Sequence, residues 1–190
     1  MSTPHILRVA ILTLLLLPGL ARGSQWTPAD SEYIVVSRFL AAVDAYVVDH
    51  HRLFEPLPEG MMCLPEDTIA RLNALAEVPR EARRAPREGE IFTPDVANLF
   101  RRLLTTRLFG DEYGDALAAE MEKRALIAPP VRVNEAPAWD IDNAMQLLLL
   151  HDLPLLPEEL EYQIVGRDLV LVDVPSNLVV DVVRAALPID

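Results

Sequence analysis

The stretch LEYQIVGRDLVLVDVPSNLVVDVV, residues 160–183, decides the fold class. Three short runs rich in β-branched and aliphatic residues, Leu160–Val165, Asp168–Val174 and Leu178–Val183, alternate with Gly166-Arg167 and Pro175-Ser176-Asn177. Runs of that length separated by residues that favour tight turns predict a three-stranded antiparallel meander. Three strands with an apolar face are marginal alone, so other elements must cover them. Everything before residue 160 reads as helix or connector, and helices first with strands last gives an α+β class. The expected architecture is about five N-terminal and central helices packed on the small C-terminal sheet.

Two acids interrupt the apolar runs, Asp173 in Leu-Val-Asp-Val and Asp181 in Val-Val-Asp-Val. A two-residue loop at Ser176-Asn177 places Asp173 opposite Val180, with the acids on opposite faces. A three-residue loop ending at Leu178 sets them directly opposite each other, which is costly unless a cation or proton is shared. The shorter loop is the more ordinary, so a solvated face or a pairing with arginine is expected.

Upstream, Thr27-Pro28 with Asp30 and Glu32 is a helix start. The recurrence of Val36, Phe39, Leu40, Val43, Tyr46, Val47, Leu53 and Phe54 is helical. A second helix is predicted over Pro65–Ala76, with Ile69, Leu72 and Leu75 as its stripe. Pro79–Glu90 (PREARRAPREGE) lacks any large apolar residue and reads as an exposed loop of mixed charge. Thr93-Pro94-Asp95 opens a third helix carrying Val96, Leu99, Phe100, Leu103, Leu104 and Leu108. A fourth is expected between Asp115 and Leu126, then a proline-bearing connector over Ala128–Ala138. Asp140 is a candidate cap for a fifth helix that includes Met145–Leu150, although four consecutive leucines also suit a buried strand.

The 190 residues carry 17 basic and 29 acidic side chains, a net charge of -12, and 51% are hydrophobic. That is too apolar for a disordered acidic chain. The negative balance argues against nucleic acid and anionic lipid, whose affinity comes from clustered Lys and Arg. A single cysteine rules out an intrachain disulfide framework and any multi-cysteine metal site. Residues 1–23 show the secretory pattern: Arg8, an apolar run from Val9 to Leu17, then Ala21-Arg22-Gly23 before the cut. Val9–Leu20 is too short to span a bilayer, which needs about 20 residues. Cleavage after Gly23 leaves residues 24–190 as one α+β domain, mainly helical over 27–150 with the meander at 160–183. The mature chain has 167 residues and a net charge of -14. It is expected in the periplasm or outside the cell, free of the membrane, with Cys63 buried and inert between Met62 and Leu64.

The sharpest local motif is Asp49-His50-His51, after Val47-Val48. It resembles the Asp-His-His motif of the DHH phosphoesterases, where these side chains bind Mn or Mg at the end of a strand. That family has further aspartate motifs upstream, whereas only 25 residues of mature chain precede Asp49, and the surrounding pattern here is helical. The helical pattern sets His50 at the edge of the buried face, while His51 points about 100° further round. A composite metal site is the alternative: His50 and His51 meeting His151 and Asp152 form a Zn-type ligand set. Of the mature serines, Ser24, Ser31, Ser37 and Ser176, none sits in a nucleophile elbow. Cys63-Leu64-Pro65-Glu66 after a long exported helix resembles the periplasmic immunity proteins of type VI secretion, which implies a protein that binds and blocks another.

The expectation is an exported, non-catalytic module with no cofactor, binding a protein partner or small ligand in the envelope. The alternative is a secreted metal-dependent hydrolase that uses a divalent ion such as Zn on His50, His51, His151 and nearby carboxylates.

Overall fold

A computed structural model of the chain describes residues 30–55, 68–83, 85–110, 114–137 and 148–189. The predicted signal peptide with its predicted cleavage point, Cys63, and the Asp140 cap and Met145 of the fifth predicted helix lie outside these residues. Four helices come first: α1 (Asp30–Phe54), α2 (Thr68–Ala82), α3 (Pro94–Phe109) and α4 (Gly114–Ile127). A fifth is described over residues 148–150. Strands β1 (Leu160–Val165), β2 (Asp168–Asp173) and β3 (Leu178–Val183) follow as an antiparallel sheet in the order β1-β2-β3. The protein is an α+β fold with a C-terminal meander. None of the described helices is long and apolar enough to cross a membrane.

The stripes of α1 and α3 lie where their spacing puts them. On α1, Phe39 and Val43 are fully buried, and Val36, Leu40, Tyr46 and Val47 pack beside them. Pro94 stands in the first turn of α3, where its missing N–H costs no helical bond. Thr93 precedes it with no side-chain cap, and its carbonyl accepts instead from Ala97 N–H at 2.8 Å. Phe39, Phe92, Phe100 and Tyr162 form the aromatic centre, with ring centroids 5.1–6.4 Å apart. These rings sit against the face of the sheet built from Leu160, Ile164, Leu169, Leu171 and Val183.

The opposite face is covered as well. Val165, Val170, Val172, Val179 and Val182 pack with Val131, and Ala128 and Val133 flank them on the connector after α4. Burial on both faces explains why the strands read as continuous apolar runs rather than alternating ones. The connector also closes the outer edge of β3: Asn134 N–H donates to Val179 O at 2.8 Å, and Val179 N–H to Glu135 O at 3.1 Å. Gly166 turns β1 into β2 with φ +60°, and a Cβ there would lie 2.9 Å from Ala128 Cβ. Glycine is needed at this turn for backbone and for space.

Two expectations change. The β2–β3 turn is longer than either candidate loop, pairing Asp173 with Leu178 and Val172 with Val179. The register then shifts, so that Leu171 faces Asp181, with Val180 as the extra residue of a β-bulge. In a regular ladder Val180 would face Leu171 and Asp181 would face Val170, on the valine face. The bulge turns it over, and both acids point to the helical side, fully buried.

The second correction concerns residues 79–90. Helix α2 runs through Pro79 to Ala82, beyond the predicted end at Ala76. Pro79 lies in the last turn, where it forfeits a single bond, and its carbonyl accepts from Arg83 N–H at 2.9 Å. Two of the arginines expected to be solvated, Arg80 and Arg83, are anchored. Arg80 Nε donates to Asn134 O at 3.1 Å, and Arg83 reaches Val180 O from Nη1 and Nη2, each at 3.2 Å.

Candidate functional site

The last turns of α1 meet the sheet at Asp173. This carboxylate is fully buried and accepts three hydrogen bonds. His50 Nδ1 and Tyr46 Oη each lie 2.7 Å from Oδ2, and the Ser176 N–H lies 2.9 Å from Oδ1. Burial alone would raise its pKa, but the bonds from His50, Ser176 and Tyr46 outweigh that and hold it below the usual range. The same environment pushes the Tyr46 phenol far up, through burial first and the Asp173 charge second. An ionised Asp173 needs a donor from His50, which fixes the proton on Nδ1 and leaves Nε2 as the second ring nitrogen. The imidazole is 5% exposed and stacked on Phe54 at 4.2 Å between centroids.

His51 points outward, as its helical position requires. Its Nε2 lies 2.5 Å from Glu159 Oε1, just before β1. Glu159 sits below its ordinary pKa, through its own backbone N–H first and His51 next among the favourable causes. The two imidazoles lie edge to face with centroids 5.9 Å apart. Adjacent histidines on one helix thus tie it to two carboxylates, one buried and one at the surface.

Asp181 performs the parallel task for the loop before α3. Its Oδ1 accepts from Gly89 and Val182 N–H, both at 2.8 Å. Its Oδ2 accepts from Ile91 at 2.8 Å and Phe92 at 2.7 Å. Four backbone donors satisfy this buried carboxyl group. The solvated face expected for the two strand acids is replaced by two anchors.

Between these anchors lies a cleft of about 380 Å³. His50, Tyr46, Asp49, Arg52 and Leu53 of α1 form one wall, and Pro79, Ala82, Arg83, Glu90 and Ile91 form the other. Arg83 lies over the Tyr46 ring, 5.6 Å from its centroid, and bonds Glu90 at 2.9 Å. Arg52 pairs with Asp49 at 2.9 Å. No serine, threonine or cysteine stands among these lining residues. Ser176 is buried in the β2–β3 turn, while Ser31 and Ser37 are exposed on α1.

The histidines of the composite metal reading separate by partner. His50 binds Asp173 and His51 binds Glu159, while His151 bonds its neighbour Asp152 at 3.0 Å. No group of three or more His, Cys, Asp or Glu side chains that could hold a metal ion occurs among the described residues. Asp49-His50-His51 lies near the end of α1, not at a strand end, so the context of the phosphoesterase motif is missing. No family model, curated protein or solved structure matches the chain. Sequence reasoning missed Tyr46, Arg83 and Glu90 as parts of the site. Tyr46 reads as part of the buried stripe, and the other two as part of a solvated loop.

Proposed function

We propose that the protein is an exported binding protein and that its ligand occupies the cleft beside His50. The observation that carries this reading is preorganisation. Asp173 fixes the ring of His50, and the Val180 carbonyl fixes the guanidinium of Arg83, so two polar groups wait in the cleft at no further ordering cost. Leu53 and Ile91 supply apolar wall beside them. A concave site with a few fixed polar groups is the usual form of a small-molecule pocket, and its volume lies near the lower end of the ~300–1,000 Å³ range.

Mature protein is to be isolated gently from the envelope fraction and its small-molecule extract analysed by mass spectrometry. A compound present in stoichiometric amount, and lost when Leu53→Trp fills the cleft, is the expected result. Equal recovery from both proteins, or from neither, contradicts the reading. The same preparation tests export, because processing after Gly23 leaves Ser24 as the first residue, whereas an intact N-terminus on the envelope protein contradicts cleavage.

A further inference from the structure

We infer that the cleft takes a small zwitterion, an α-amino acid with an apolar side chain, an assignment that rests on the cleft being the binding site. The rim charges come as two opposed pairs, Arg52 with Asp49 and Arg83 with Glu90, each at 2.9 Å. A ligand of single charge meets as many like charges as unlike ones. A neutral apolar ligand would strip water from both pairs and return nothing for it. A molecule carrying both signs exchanges one ion pair for two.

Arg83 is the fixed member. Its three bonds, two to Val180 O and one to Glu90, occupy three of the five guanidinium donors, so capacity for a carboxylate remains. The ring of Tyr46 beneath it limits its swing. Glu90 is the movable member, 44% exposed, and can turn to receive an ammonium while a ligand carboxylate takes its place on Arg83. His50 adds a polar ring on the facing wall, and Leu53 and Ile91 meet the hydrocarbon part.

The test uses the mature protein and each standard L-α-amino acid in millimolar excess, read by thermal shift and then by titration calorimetry. One or more apolar amino acids should bind. The N-acetyl and carboxamide forms of the best of them should bind at least tenfold more weakly, since each lacks one charge. Glu90→Gln, a surface change that leaves the melting curve cooperative, should weaken the amino acid by at least tenfold too. Binding by no amino acid overturns the assignment, as does equal affinity for the N-acetyl form or an unchanged affinity in Glu90→Gln. The two readings fail separately. If no amino acid binds but an envelope compound is still lost with Leu53→Trp, only the zwitterion falls; if neither is seen, the cleft falls with it.

Discussion

At the scale of single residues, the structure turns on Asp173. Truncation to alanine leaves the His50 ring, the Tyr46 hydroxyl and the Ser176 N–H facing a void. Leaving a buried donor unsatisfied typically costs about 1–3 kcal/mol, and for a protein of this length each kcal/mol lowers Tm by ~2–4 °C. With three donors stranded, Asp173→Ala should melt roughly 10 °C lower, whereas His51→Ala, at the exposed Glu159 pair, should change Tm little. The pH dependence has a definite sign. Asp173 and Glu159 have folded pKa values below their ordinary ones, so their stabilisation is complete only above about pH 5. It is lost as the pH falls through the lowered folded values. Urea titrations between neutral pH and pH 2 should show wild type and Asp173→Asn converging in stability as the acid limit is approached. A gap that widens on acidification contradicts the assignment.

At the scale of elements, the strands were legible because β-branched runs bounded by Gly166-Arg167 and Pro175-Ser176-Asn177 have few other readings. The stripes of α1 and α3 were legible for the same reason, since period 3.6 is a local signal. What escaped was non-local. A bulge at Val180 has no signature in a run of valines, yet it decides which way Asp181 faces. Three of the four partners of Asp181 are backbone N–H groups some ninety residues away, which side-chain pattern cannot reveal. The His50–Asp173 pair spans 123 residues and follows only once helix and sheet are docked. Two predictions belong here. Asp181→Ala should speed hydrogen exchange at Gly89, Ile91 and Phe92 far more than at the β1–β2 ladder; uniform acceleration instead contradicts a local anchor. Gly166→Ala combines a left-handed φ with a 2.9 Å approach to Ala128 and should cost about 1–2 kcal/mol or more, measured as a lower urea midpoint at unchanged m-value.

At the scale of the whole molecule, one apolar cluster joins α1, α3, α4, the Leu149–Leu153 segment and the helical face of the sheet. The buried carboxylates stand at separate points of that layer, and the cleft opens between the elements they hold. A second concavity, about 550 Å³, lies between Leu150–Leu156 and the Leu160–Gln163 part of β1, with leucines as half of its lining. The proposal commits to the cleft beside His50 rather than to this one. The direct measurement is an amide ¹H–¹⁵N map of the mature protein, recorded with and without the low-molecular-mass fraction of the envelope. Binding beside His50 predicts shifts concentrated over Tyr46–Leu53, Arg80–Arg83 and Glu90–Ile91, abolished in Leu53→Trp. Shifts centred instead on Leu150–Gln163, or no shifts at all, would contradict it.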